Sequence, residues 1–216
     1  WNEARRVAQD AALVVIAPGA GNTLREWLMG TQVERLIRLL RVPVLVVKQS
    51  STAAYRRVLV PVDLAPGSAQ AVQLAGTLSS EPDAIEVLHV VDAGDAVPVG
   101  AGDVPEPALT LQRRRVLRRA WALVRRLIAS VGADRLRASP WVGQGDAAAL
   151  VVDRARALRA DVVVIGKRRR GLLADFFLGS VTQRVLARVE TDVLVLAVDA
   201  KGPQRLADTP AVRPQR

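Results

Sequence analysis

Trp1–Gln49 can be laid over Leu150–Val198 at a constant offset of 149 residues, with no gap. Leu13-Val14-Val15-Ile16 then falls on Val162-Val163-Val164-Ile165, Met29-Gly30-Thr31 on Leu178-Gly179-Ser180, and Val44-Leu45-Val46-Val47 on Val193-Leu194-Val195-Leu196. Self-similarity at a fixed offset means that one supersecondary unit is used twice, so whatever the later segment folds into, the earlier one must fold into as well. The chain reads as a complete unit, residues 56–199, preceded by the C-terminal part of another, residues 1–50. An Ala/Gly/Pro/Arg tail, residues 200–216, is expected to be disordered. A chain that opens on Trp1 and enters on part of a repeat is expected to be a piece of a larger protein.

Within the complete unit, strand-like and helix-like signals alternate. Apolar, β-branched runs predict strands at Arg57–Val62, Ile85–Val91, Asp161–Ile165 and Asp192–Val198, with a weaker, partly polar one at Leu136–Val142. Helical periodicity covers Ala65–Ser79, Leu109–Val131, Ala147–Leu158 and Ser180–Arg188, and Ala93–Pro107 is the longest loop. In the second helix Val116, Ala120, Val124 and Leu127 form one stripe and Arg114, Arg115, Arg118, Arg125 and Arg126 the other. Continuous apolar strands separated by helices mark a parallel sheet covered on both faces. The expected fold is therefore α/β: a doubly wound, open, five-stranded parallel sheet with a partial second copy of itself at the N-terminus. Such sheets bind ligands beyond the carboxyl ends of their strands, where strand order reverses. That rule selects Asp63 and the loop that starts at Gly166.

Composition removes several kinds of chemistry. No cysteine and a single histidine, His89, exclude disulfides, thiol nucleophiles and zinc sites built from Cys and His, and His89 in its apolar strand is read as a core residue. No Ser/His/Asp set or carboxylate pair is legible, so neither a catalytic residue nor a metal site is expected. The net charge of +10 is carried almost wholly by arginine, while aromatics make up only 3% and leave few platforms for stacked bases. Nucleic acid is not the expected partner. No apolar run approaches the roughly 18–20 residues that a membrane span needs.

The loop after the fourth strand reads Gly166-Lys167-Arg168-Arg169-Arg170-Gly171, and Gly179-Ser180-Val181-Thr182 then opens a helix. Glycine lets backbone approach a ligand closely, and a helix N-terminus offers amide hydrogens and positive dipole to an anion. Ser180 with Gln183 also fits a capping box, as does Thr31 with Glu34 in the partial copy. Phosphate binding and capping are compatible.

Val58-Leu59-Val60-Pro61-Val62-Asp63, Leu88-His89-Val90-Val91-Asp92 and the Gly166 to Thr182 segment followed by Val193-Leu194-Val195 resemble the universal stress protein family. The resemblance implies an adenine nucleotide alpha hydrolase-like fold and a bound ATP or AMP, with Mg²⁺ as a possible companion. Pro61, Val62 and Asp63 would approach the adenosine, Asp63 through a ribose hydroxyl, and the Val90 backbone would meet the adenine. Gly166, Gly179, Ser180, Val181 and Thr182 would hold the phosphates, with Ile165 in the same site; Lys167, Arg168, Arg169 and Arg170 put four positive charges beside them, and Gly171 supplies flexibility. Arg169 stands where nucleotide-binding members carry a second glycine. In the partial copy Ala17 and Ala20 replace both glycines, although Gly30-Thr31 is kept.

The resemblance further implies a cytoplasmic, regulatory stress-response role that works by binding, with at most slow ATP hydrolysis. Alternatives are a non-binding member acting through dimerisation and partner contacts, or the regulatory tail of a transporter. The final strands, Pro43–Lys48 and Asp192–Val198, are expected to pair antiparallel, as an intramolecular pseudo-dimer or between two chains. Asp192, where the partial copy has Pro43, would help stop that pairing.

Overall fold

The computed structural model describes residues 11–17, 36–37, 40, 42–49, 54–78, 85–92, 105–132, 138–168 and 179–198. Its strands are β1 (Val14–Ile16), β2 (Val44–Val46), β3 (Val58–Val62), β4 (Ile85–Val91), β5 (Ser139–Gln144), β6 (Val162–Arg168) and β7 (Asp192–Val198). Its helices are α1 (Ser68–Leu78), α2 (Glu106–Ser130), α3 (Ala147–Leu158) and α4 (Ser180–Arg188). All seven strands join one sheet in the order β1-β2-β7-β6-β3-β4-β5. Every neighbouring pair is parallel except β2 and β7.

From β3 onward the chain steps outward to β4 and β5, returns to β6 on the other side of β3, and steps outward again to β7. Winding direction therefore reverses between β3 and β6. Both faces of the strands are apolar because both are covered. Val58, Val60 and Val62 pack with Ala71, Val72 and Ala75 of α1 and Val124 and Ile128 of α2. Leu59, Val163 and Ile165 meet Val151 and Val152 of α3 and Val185 and Leu186 of α4 on the other side.

Strand β5 runs later than the sequence suggests, ending at Gln144 and not at Val142. Gly143, which argues against a strand, is needed there: a Cβ on it would lie 2.5 Å from the Trp141 ring. Arg154 sits over that ring at 5.3 Å and holds the buried Glu86 carboxylate through both oxygens, at 2.6 and 2.5 Å. A buried acid is tolerable only when satisfied in this way. Pro140 is admitted because β5 is an edge strand. The loop expected at Ala93–Pro107 stops earlier, because α2 begins at Glu106 and admits Pro107 in its first turn, where its missing amide hydrogen costs nothing; residues 93–104 and the tail at 200–216 lie outside the described residues.

At the N-terminal end of the sheet, Asp161 clamps the start of β3 to the start of β6. Its Oδ2 accepts the amides of Arg56 and Arg57, both at 2.8 Å. Partial burial pushes its carboxyl upward, but those amides and the Arg57 guanidinium outweigh burial and hold it below the usual carboxylate range.

The β1–β2 register, Val14↔Val44, Val15↔Leu45 and Ile16↔Val46, recurs 149 residues later as Val163↔Val193, Val164↔Leu194 and Ile165↔Val195. In the antiparallel pair, Val44 faces Val195, Leu45 faces Leu194 and Val46 faces Val193. The same offset carries the first pair onto the third and the Leu45–Leu194 pair onto itself. A local two-fold axis therefore passes between these two leucines, within one chain.

Beyond the paired residues the junction is polar and ordered. The buried Asp192 accepts the amides of Lys48 (2.8 Å) and Gln49 (3.1 Å) and the Tyr55 hydroxyl (2.7 Å), which turns β2 away from further ladder pairing. Lys48 Nζ donates to the Leu186 and Val189 carbonyls at the end of α4. Lys167 Nζ donates to the Ile37 and Leu40 carbonyls, which are the counterparts of those two at the 149 offset.

Burial lowers the Lys48 ammonium to about 8, with Asp192 opposing the shift. Burial, then the bond to Asp192, raises the Tyr55 hydroxyl above its ordinary value. The folded state thus binds fewer protons than the unfolded one at Lys48 above pH 8, so stability should rise from there toward about pH 10. Tyr55 acts oppositely, and its contribution is lost as pH climbs above about 10. Urea denaturation across pH 7–11 should show the rise disappear in Lys48→Met and the fall soften in Tyr55→Phe. Asp192→Ala, which strands three donors, should cost about 3 kcal/mol at pH 7.

Candidate functional site

Strands β3 and β6 are paired only at Val58↔Val162 and Leu59↔Val163. Farther along, β6 continues its ladder with β7 alone, through Arg168↔Val198, while β3 continues with β4 through Val62↔His89. The two central strands therefore part toward their carboxyl ends, and a crevice opens at the reversal point. Pro61 lies in that parted stretch, where a residue without an amide hydrogen is least costly to a sheet. Val62 and Ile165 are buried in the cores on opposite faces, while Val90 and Gly166 are half-buried.

Asp63 ends β3 and builds the turn into α1. Its Oδ1 accepts the Ala65 amide at 2.9 Å and the Ser68 hydroxyl at 3.1 Å. Between them Leu64 is held at φ 60°, a left-handed conformation that side chains other than glycine seldom adopt. His89 supports the same corner: its Nδ1 lies 2.9 Å from the Val62 carbonyl, which can only accept, so Nδ1 carries the proton. The ring is a brace between β4 and the end of β3.

On the other side of the crevice α4 starts at Ser180 with Gly179 as its N-cap, at φ 84° and ψ 134°, a residue that brings no capping side chain of its own. The capping box expected from Ser180 and Gln183 is therefore not formed, since Ser180 is already the first helical residue. The Gln183 amide closes the first turn on the Gly179 carbonyl at 3.0 Å. Ser180 is exposed, Val181 half-buried and Thr182 buried. Because α4 follows β6 and precedes β7 in parallel order, its N-terminus lies at the carboxyl edge of the sheet, on the crevice side.

Lys167 does not join the basic set expected beside that helix start. Its side chain is buried, and its ammonium is bound to the carbonyls of Ile37 and Leu40 across the β2–β7 junction. The Arg168 backbone closes β6, and Arg169, Arg170 and Gly171 lie outside the described residues, as do Ala20, Gly30 and Thr31 of the partial copy.

A further clamp at this edge went unnoticed in the sequence. Asp146 caps α3 by accepting the Ala149 amide at 2.8 Å and, through its other oxygen, pairs with Arg184 of α4 at 2.8 Å. The amide and Arg184 hold its carboxyl below the usual range. The Gly145 amide meanwhile bonds the Val91 carbonyl at 3.0 Å, tying the end of β4 to the turn after β5. A Gly-Asp pair just before a helix is a legible capping signal; its tie to Arg184 depends on tertiary placement. Among the described residues, no group of three or more His, Asp and Glu could hold a metal ion.

Among the described residues a Cβ at Gly179 would meet nothing nearer than Thr182 Oγ1 at 3.9 Å, and its φ of 84° is the feature that disfavours a side chain. Gly179→Ala should therefore lower the unfolding free energy by about 1–2 kcal/mol in a denaturant titration, with no change in helix content.

The universal stress protein family model matches residues 54–197. A functionally unknown protein from Pseudomonas aeruginosa PAO1 superposes with a TM-score of 0.63 at 21% identity, over 90% of this chain and 66% of its own. A universal stress protein from Archaeoglobus fulgidus DSM 4304 gives 0.62 at 18%, over 91% of this chain and 64% of its own. The universal stress protein UspA from Lactobacillus plantarum gives 0.52 at 20%, over 67% of this chain and 99% of its own. No curated protein matches. At these identities the superpositions speak for the fold, and the chain spans just under two thirds of the length of the first two structures. The family match covers more than half of the sequence and coincides with the five-stranded unit: the chain belongs to the universal stress protein family.

Proposed function

We propose that residues 56–199 are a regulatory domain that binds an adenine nucleotide, ATP or AMP, in the crevice between β3 and β6, and that it acts by binding and not by turnover. The observation that carries this is the parting of β3 and β6 beyond their second pair, with Asp63 at one lip and the start of α4 at the other. Amide hydrogens and the positive dipole of α4 favour a phosphate there. Asp63 suits a ribose hydroxyl, and the Val90 backbone at the next strand end suits the base. Gly166, Gly179, Ser180, Val181 and Thr182 would form the phosphate side next to Ile165, while Val62 would stand with Pro61 on the adenosine side. Arg168, Arg169 and Gly171 belong to the loop between. Mg²⁺ would enter with the triphosphate, and we assign the domain a cytoplasmic stress-response role, for which family membership is the support.

A second reading has its own support. Strand β2 closes the open edge of β7 within the chain, which suits a protein whose business is assembly and partner contact. On either reading residues 1–50 are the C-terminal part of a preceding domain of the same kind, so the pairing is an internal pseudo-dimer.

Nucleotide binding predicts that ATP with Mg²⁺, or AMP, raises the melting temperature, and that Gly179→Val and Asp63→Ala cancel the rise. Asp63→Ala also releases the α1 turn at a cost of about 1 kcal/mol, so the ligand-dependent shift is the quantity to compare. No shift at millimolar ATP or AMP would leave the assembly reading in possession. Arg169→Gly separates two accounts of the loop: affinity rises if backbone geometry limits binding, and falls if the guanidinium holds phosphate.

A further inference from the structure

The two helical layers differ sharply in charge. On one face of the sheet α1 carries no charged residue at all, and α2 carries Arg113, Arg114, Arg115, Arg118, Arg119, Arg125 and Arg126 against a single acid, Glu106. All seven arginines are exposed. Only Arg113 has a carboxylate partner among the described residues, Glu106 at 3.9 Å. On the opposite face the arginines of α3 and α4 are largely spoken for, Arg154 by Glu86, Arg156 by Glu190 and Arg184 by Asp146.

The outward arc of α2 is not charge alone. Ala120, Val124 and Ile128 face the sheet, so the opposite side presents Arg115, Arg118, Arg119 and Arg126 with Ala122 among them. Leu111 lies in that arc one turn before Arg115, and Trp121 and Leu123 flank it on either side; the three are 46%, 40% and 38% exposed. A helix of 25 residues is about 37 Å long, which makes this a straight bar of guanidinium groups edged with hydrocarbon and one indole.

We propose that the outward face of α2 docks the protein on an anionic phospholipid surface. Guanidinium groups bind phosphate oxygens in a bidentate fork. Tryptophan and leucine beside them suit the headgroup boundary, where an amphipathic ring sits with its body in hydrocarbon and its N–H toward water. A nucleic-acid backbone would use the charge and leave Leu111 and Leu123 without a role. The apolar stripe of α2 is committed to the core, so docking stays at headgroup level and nothing inserts deeply.

The test is flotation of the whole chain with vesicles of phosphatidylcholine alone and with about 30% phosphatidylglycerol, at low and high salt. The protein should float only with the anionic vesicles and be released by salt. In Arg115→Gln/Arg118→Gln/Arg119→Gln/Arg126→Gln, vesicle affinity should fall by at least about a hundredfold, since each basic side chain near such a surface contributes about fivefold. Its melting temperature should stay within about a degree or two, because all four are exposed, none has a carboxylate partner among the described residues, and Arg118 makes only a long 3.4 Å bond to the Arg114 carbonyl. Trp121→Ala should weaken anionic-vesicle binding severalfold and leave its salt dependence intact. Equal flotation with neutral vesicles, none with anionic ones, or retained affinity in the four-Gln variant would overturn the assignment. Tighter Arg-dependent binding to a 20-nucleotide RNA or DNA duplex than to the vesicles at equal salt would overturn it in favour of a nucleic acid.

Discussion

The pairing of Leu45 with Leu194 is the contact on which the architecture turns. Strand β7 ends the parallel series, and a Val-Leu-Val edge left open would template aggregation. Strand β2 occupies that edge within the same chain, and its own partner β1 follows. The core beneath α3 and α4 then runs without a break through Val193 and Val195 into Val44 and Val46 and on to Ile37 and Leu40. A single hydrogen-bonded junction thus turns a five-stranded sheet into a seven-stranded one with a shared interior.

The crevice rests on the opposite principle, an interaction withheld. Strands β3 and β6 give up their mutual ladder after two residues, and the backbone at both lips is held in conformations that ordinary side chains avoid, at Leu64 and Gly179. Asp63, Ser68 and His89 on one side, and Asp146 with Arg184 on the other, fasten the neighbouring elements. Strain of this kind persists only where the surroundings over-determine it.

Much of this was legible in the sequence, for reasons that can be named. Strands β3, β4 and β7 are dominated by Val, Leu and Ile, so hydrophobicity located them, and the 149-residue offset matches the registers of β1–β2 and β6–β7. Illegible were the features decided by distant partners. Gly143 looks like a strand breaker until the Trp141 ring needs its missing Cβ. Ser180 looks like an N-cap until Gly179 takes that place. Lys167 stands in a run of basic residues that reads as one phosphate-facing loop, yet strand alternation sends its side chain into the interior, toward carbonyls some 130 residues earlier in the chain. Local pattern cannot separate neighbours whose fates the fold divides.

Those lysines carry a lesson about how the two repeats have diverged. At the 149 offset the counterpart of Lys48 is Ala197, and the counterpart of Lys167 is Pro18, so neither lysine has a lysine opposite. Yet Lys167 lies beside the small Ala197 in the β6–β7 ladder and reaches across to the carbonyls of Ile37 and Leu40. Each half therefore meets the same electrostatic need, an ammonium for two equivalent backbone carbonyls, from a different address in the chain. A residue-by-residue comparison of the two halves would score the contact as lost twice, although chemically it is present twice. What the repeat has preserved is the demand of those paired carbonyls, and the supplier has been free to move.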